Sequence, residues 1–306
     1  MAYSAGDTIL DDEYNTFVNS SSDPFGYNHF AGPGSANYGL NQSTIATVSA
    51  GDTVNASSWN ALFTGMDNIA NHLNRSITAS SVSAGDTIAV RSALISDLAN
   101  LAADVAAGGV NVTALGTNAV GSSTSASTYN TSATIERSVT FANNNTMRAF
   151  FNGGGKIRID PSVVTGIDGD KDTVFDDLTT TATGNLDIGA HASTRSGSGE
   201  TLTTNGLGNG FFDLSTGYTT ILKLTSDNSG YTSNTIEYQA KLDAAPASAT
   251  VITIKMVSTD AAADDTFTAG NTDGVAANPN EAPKITLALI EVFPNNSEGL
   301  ASSIQS

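Results

Sequence analysis

Apolar side chains recur every three or four positions in three segments of the first 109 residues, which predicts three helices with one buried face each. The richest segment spans residues 56–73 and contains Trp59, Leu62, Phe63, Met66, Ile69, Ala70 and Leu73. Another segment has its apolar positions at Leu94, Ile95, Leu98, Leu101, Ala102 and Val105. The shortest has Tyr14, Phe17 and Val18. We therefore predict a helical N-terminal region over residues 1–109.

The same pentapeptide, Ser-Ala-Gly-Asp-Thr, precedes each of the three predicted helices. Its copies begin at Ser4, Ser49 and Ser83. The Gly-Asp pair favours a tight turn because glycine readily takes positive φ. In the second copy, Asn55 or Ser57 is positioned to cap the helix by accepting a hydrogen bond from an N–H of its first turn. The N-terminal region is therefore predicted to be three turn-and-helix units in series.

The period changes to that of β-strands after residue 109. Residues 110–133 are rich in Ser, Thr, Asn and Gly and are predicted to form a linker. Alternating apolar positions then predict a β-rich domain over residues 134–306, with one short helix at 143–152. The last strand changes phase near Leu289, which predicts a β-bulge there. The expected fold class is α+β, and the β domain is expected to be a mostly antiparallel sandwich or small barrel.

Composition and charge narrow the classes of function. Only 14% of the 306 residues are charged, against about a quarter in an average soluble protein. The net charge of −18 disfavours direct binding to nucleic-acid phosphates. The chain has no cysteine, which excludes disulfides, thiolate nucleophiles and Cys-ligated zinc. It has no apolar run of about 18 residues, so no membrane span is expected, and its first residues do not resemble a secretory signal.

The candidate ligands for a metal ion are the carboxylates of Asp168, Asp170 and Asp172. Carboxylates at alternate positions of a turn can wrap a calcium ion. An EF-hand loop would need Gly at its sixth position and Glu at its twelfth, where this chain has Thr173 and Thr179. A solvated acidic loop is therefore the preferred interpretation, and no cofactor is expected.

No catalytic residues are predicted. The three histidines, His29, His72 and His191, lie far apart in the sequence, and no nucleophile with a neighbouring base stands out. Because the glycine-rich stretches also lack the spacing of nucleotide-binding loops, the chain is expected not to be an enzyme.

Two segments resemble structural proteins of tailed bacteriophages, especially marine phages. One consists of the repeats followed by Trp59, Asn60 and residues 69–72; the other spans residues 139–159, with its Asn-Asn-Asn and Gly-Gly-Gly runs. The resemblance covers most of the chain in the order of its predicted elements, but only these two segments in amino-acid sequence. It implies localisation in the virion and a non-enzymatic role in the tail, collar, baseplate or fibre attachment. The implied partners are further copies of the chain and other virion proteins.

Other functions remain open at the level of sequence. One is a carbohydrate-binding or adhesive module, whose β domain would present aromatic side chains such as Tyr218 or Tyr231 to a glycan of the host surface. Another is a protein that decorates the capsid. A hydrolase is disfavoured, because no set of acid and base residues converges in the sequence.

The helix over residues 56–73 is the predicted contact between subunits. Three short helices have little volume in which to bury many large side chains, and such small cores are marginal. Trp59, Phe63, Met66 and Leu73 are therefore expected to pack against a neighbouring copy in a symmetric homo-oligomer.

Overall fold

A computed structural model describes residues 11–35, 38–84, 86, 91–109, 115–129, 131–164, 170–262 and 282–294. The chain divides into two compact units. Unit 1 comprises Met1–Gly116, Phe141–Gly155 and Phe293–Ser306. Unit 2 comprises Thr117–Thr140 and Lys156–Val292.

Unit 1 contains five helices in the described residues: α1 (Asp11–Asn19), α2 (Tyr27–Phe30), α3 (Ala56–His72), α4 (Arg91–Ala106) and α5 (Asn144–Asn152). Helices α1, α3 and α4 form where the apolar period predicts them, whereas the short α2 was not predicted. Of the two candidate caps of α3, Asn55 is the one used, since its side chain accepts a hydrogen bond from the Ser58 N–H at 3.1 Å. The cap therefore satisfies one of the free donors of the first turn.

Helix α5 was expected inside the β domain, but it belongs to unit 1. Its residue Ala149 joins the apolar core formed by the N-terminal helices. The buried Arg148 donates from Nη2 to the Pro33 carbonyl at 2.9 Å, and Asn152 donates from Nδ2 to the Gly39 carbonyl at 3.0 Å. These long-range hydrogen bonds satisfy polar groups that would otherwise be buried alone, so they attach α5 to the loop after α2.

Unit 2 contains two five-stranded antiparallel sheets in the described residues. The first has the order β1 (Leu115–Thr124), β10 (Lys284–Pro294), β3 (Lys156–Val164), β4 (Leu186–Ile188), β5 (Ser193–Arg195). The second has the order β2 (Ser132–Thr140), β9 (Val251–Thr259), β8 (Thr235–Leu242), β7 (Thr219–Thr225), β6 (Thr201–Asn205). The α+β class and the sandwich-like arrangement are confirmed.

The predicted linker is wrong where β1 lies. This ten-residue strand occupies the middle of residues 110–133, and none of its described side chains is buried. A strand at the edge of a sheet is held mainly by its backbone ladder, so it can form without the alternation of apolar residues that marks half-buried strands. The Ser, Thr and Gly content that suggested a linker therefore belongs to an exposed edge strand.

The bulge predicted near Leu289 is absent from the pairing of β10 with β3. Strand β10 pairs with β3 in continuous register from Lys284 opposite Val164 to Val292 opposite Lys156. The inward position after Leu289 is Glu291, which is buried and accepts a hydrogen bond from Asn118 Nδ2 at 3.2 Å. The apparent change of phase is a polar residue at an inward position, not an extra residue in the strand.

Candidate functional site

The Ser-Ala-Gly-Asp repeats build the same closed turn wherever the structure describes them. In the second copy the Asp52 N–H donates to the Ser49 carbonyl at 2.9 Å, and the Ser49 N–H donates to Asp52 Oδ2 at 3.0 Å. The third copy has the same pair of bonds between Asp86 and Ser83, at 3.0 and 2.7 Å. Gly51 has φ of +92°, which only glycine adopts without strain. The first copy lies outside the described residues.

An asparagine on the helix that follows one repeat binds the backbone of the residue that precedes the next repeat. Asn15 of α1 donates from Nδ2 to the Val48 carbonyl at 2.8 Å and accepts from the Val48 N–H at 2.9 Å. Asn60 of α3 makes the same pair of bonds with Val82, both at 2.8 Å. Val48 and Val82 directly precede the second and third repeats. We call each of these two-bond contacts an asparagine clamp.

The clamps show that the first two repeats extend beyond the pentapeptide to an asparagine on the following helix. Asn15 and Asn60 each follow the aspartate of their own repeat by eight residues, and an aromatic residue, Tyr14 or Trp59, precedes each of them. The pattern Ser-Ala-Gly-Asp-Thr-x5-aromatic-Asn was available in the sequence and was missed. In the third copy the position of the asparagine is occupied by Leu94, and no further repeat follows this copy.

The four side chains predicted to contact a neighbouring subunit lie inside unit 1 instead. Trp59, Phe63, Met66 and Leu73 keep only 2%, 7%, 0% and 0% of their surface exposed. The Trp59 ring packs edge-on against Tyr14 with 5.2 Å between centroids. The subunit therefore buries this apolar stripe in its own core, because α1, α2, α4 and α5 together supply more apolar surface than three short helices alone.

The predicted calcium loop is a helix from Asp170 onwards. Helix α6 (Asp170–Asp176) continues into a π-helix, Asp177–Thr183, and Asp168 lies outside the described residues. Asp170 and Asp172 lie on one helix and not in a turn, so the turn on which the calcium prediction depended is not formed by these residues. The described residues contain no group of three metal-ligating side chains, and calcium binding has no support.

The same segment contains a buried ion pair that sequence reasoning missed. Lys171 Nζ lies 2.8 Å from Asp260 Oδ2, and the two side chains are 6% and 1% exposed. Nearby, the hydroxyls of Tyr129 and Ser258 are hydrogen bonded, and burial raises the pKa of Tyr129. A buried pair of charges is stable only when both partners stay, so it joins α6 firmly to the residue that follows β9.

The two tyrosines proposed for glycan contact differ in environment. Tyr231 is buried, with 7% of its surface exposed. Tyr218 is half-buried, and the ammonium groups of Lys255 and Lys241 lie 3.8 and 4.4 Å from the centroid of its ring. Burial and the neighbouring carboxylate of Glu136 raise the pKa of Tyr218 to about 12. The ring is thus part of a cation–π arrangement on the second sheet.

Each of the three histidines has its own contacts in the described residues. His29 stacks on Phe25 at 4.4 Å between centroids, and burial lowers its pKa. His72 Nε2 lies 2.8 Å from the Gly153 carbonyl oxygen. His191 belongs to unit 2 and stacks on Phe212 at 5.0 Å. The expectation that the chain is not an enzyme stays a prediction.

Comparison with known proteins gives no relative to set beside this geometry. No protein-family model, no curated protein and no solved structure matches the chain. Among the described residues, no helix is both long and apolar enough to cross a membrane.

Proposed function

We propose that this chain is a non-enzymatic structural subunit of a tailed-phage virion, which assembles as a homo-oligomer in the tail, collar, baseplate or fibre attachment. The observation that carries the proposal is the repeated turn and clamp. The polar side chains that recur with the repeat, Asp52, Asp86, Asn15 and Asn60, all bond to the backbone of the chain itself. The most repeated motif in the protein is therefore architectural, which favours a subunit that builds a particle.

The segment that carries the resemblance to phage proteins supports the same role. Asn143 caps α5 by accepting from the Thr146 N–H at 2.9 Å. A Cβ at Gly155 would lie 2.5 Å from the Phe150 carbonyl oxygen, so only glycine allows the chain to leave α5 this closely. Together with the bonds of Arg148 and Asn152 to the loop after α2, these contacts seat α5 in unit 1. The residues on which the resemblance to phage structural proteins rests therefore shape the subunit.

The alternative of a carbohydrate-binding module receives no support from the two tyrosines named for it. Tyr231 has little exposed surface, and a sugar approaching the lysine-covered face of Tyr218 would have to displace the cations that lie there. A sugar can stack on an aromatic ring only where one face of the ring is open. Between the two proposals, the geometry of these side chains favours assembly.

Immunoelectron microscopy of purified phage particles tests the proposal. An antiserum raised against the purified chain should label tails or their attachments, and the same antiserum absorbed with the chain should not. Labelling over the capsid would instead identify a decoration protein. A chain that accumulates in infected cells but is missing from purified particles by mass spectrometry would refute a virion role.

A further inference from the structure

Strand β6 is an edge strand with both of its faces open. All five residues from Thr201 to Asn205 are exposed, whereas antiparallel strands of a sandwich ordinarily bury one face. Leu202 keeps 40% of its surface exposed, and Val164 is the other exposed large apolar side chain in the described part of the chain. In the single subunit, β6 therefore pairs with β7 but buries little apolar surface.

Of the other sheet edges, β2 and β5 have protection that β6 lacks, and β1, which is also uncharged, exposes no large apolar side chain among its described residues. Strand β2 carries Glu136 and Arg137, and charged residues discourage edge-to-edge pairing. Arg137 Nη1 also donates to the Ser122 carbonyl at 2.7 Å, which occupies a backbone acceptor of β1. Strand β5 has only three residues, and its Ser193 N–H donates to the Leu207 carbonyl at 2.8 Å. Strand β6 has no charged residue and no proline.

We propose that β6 is the surface through which a second copy of this chain binds, by antiparallel pairing of the two β6 strands about a two-fold axis. The inference rests on the proposed assembly role and names the contact. Pairing would join the two second sheets into one continuous ten-stranded sheet and would cover Leu202. The charge of the protein favours this site, because copies with a net charge of −18 repel each other least where the strand itself is uncharged.

The sequence around β6 is compatible with a two-fold axis through Thr203. An axis through this residue sets Thr201 opposite Asn205 and Leu202 opposite Thr204 of the second copy, and it sets Glu200 opposite Gly206. No like charges then face each other across the pair. The register with β7 shifts between Leu202 and Thr204, which is the bulge of this edge. The same axis places the two bulges opposite one another, so both strands bend together.

A single-cysteine variant tests the pairing directly, since the natural chain has no cysteine. Opposite residues of an antiparallel pair have Cα atoms about 4.5–5.5 Å apart, which a disulfide can span. Full-length Thr203→Cys should form a reducible covalent dimer under mild oxidation. The matched control is Thr134→Cys on β2, the opposite and charged edge of the same sheet, which should remain monomeric under the same conditions. Equal cross-linking of both variants would overturn the proposal.

A second change separates pairing from folding. Leu202→Lys in the Thr203→Cys background sets two ammonium groups near the axis and should slow cross-linking at least about tenfold. Leu202→Thr keeps the strand neutral and should cross-link like the parent. Because Leu202 is exposed, circular dichroism of all variants should match; unchanged cross-linking of the lysine variant would contradict the β6 contact. If the cross-linking tests fail while the chain still labels particles, the virion role stands and only the contact is wrong.

Discussion

Asn60 and Val82 are joined by two hydrogen bonds although 22 positions separate them in the chain. The Asn60 carboxamide donates from Nδ2 to the Val82 carbonyl and accepts from the Val82 N–H, both at 2.8 Å. One side chain thus satisfies both backbone groups of a residue that lies in no helix or strand. The relationship repeats between Asn15 and Val48, which makes it part of the repeat unit.

Replacing Asn60 by alanine should lower the stability of unit 1 by about 1–3 kcal/mol, because two partly buried hydrogen bonds are lost. Asn60→Asp should have an intermediate effect, since a carboxylate accepts but does not donate. Urea unfolding followed by the fluorescence of Trp59, the one tryptophan of the chain, measures both. The control is Asn71→Ala, an exposed position on the same helix. Equal losses for Asn60→Ala and Asn71→Ala would contradict the clamp.

Trp59→Ala should destabilise unit 1 by about 3–5 kcal/mol, as expected for a large aromatic side chain removed from a core. Trp59→Phe should cost less, because it keeps most of the packed volume. Thermal unfolding of the helical signal in circular dichroism is the measurement. A Trp59→Ala chain that keeps its full stability but no longer self-associates would restore the original expectation that this side chain lies at a subunit contact.

Lys171→Met should destabilise unit 2 by about 3–5 kcal/mol, because it leaves the Asp260 carboxylate buried without its charged partner. The comparison is Lys223→Met, which removes a partly exposed partner of Glu237 in the same unit and should cost less than about 1 kcal/mol. Urea unfolding followed by the β-sheet signal of circular dichroism distinguishes them. Similar losses of stability for the two variants would show that the buried pair stabilises unit 2 no more than the partly exposed pair does.

Unit 1 should lose stability at high pH. Burial raises the pKa of Tyr27 to about 12, so the folded state keeps this phenol neutral after it ionises in the unfolded chain, at a pKa of about 10. The contribution of the neutral Tyr27 phenol to the free energy of unfolding is fully present below pH about 10 and is lost as the pH rises to about 12. This contribution amounts to about 2–3 kcal/mol. Urea midpoints measured by Trp59 fluorescence from neutral pH upward should fall in this window. Tyr27→Phe should flatten the fall, and an unchanged profile would refute this assignment.

The sequence by itself determined the features whose interactions are local. The alternation of Ile236, Tyr238, Ala240 and Leu242 with polar residues predicted β8, and the buried positions are those four. The turn from Ser49 to Asp52 also follows from four consecutive residues, because both of its hydrogen bonds close within them. The α+β class was predictable for the same reason, because the spacing of apolar residues that distinguishes helices from strands is visible within short stretches of sequence.

Only the tertiary structure decided which of these elements belong together. Helix α5 was predicted with nearly correct ends, yet the bonds of Arg148 and Asn152 to residues more than 100 positions earlier place it in unit 1. Strand β1 had no apolar alternation to reveal it, since an edge strand is stabilised by backbone pairing to a partner far along the chain.

The candidate contacts show the same division. The stripe that includes Trp59 and Phe63 was visible in the sequence, but an apolar face looks alike whether it packs on its own chain or on another. Strand β6 gave no apolar signal, and its open edge appears only once the order of the strands is known. Local periodicity therefore identifies surfaces that must be covered, whereas long-range contacts decide what covers them, because burial depends on residues that the local pattern does not contain.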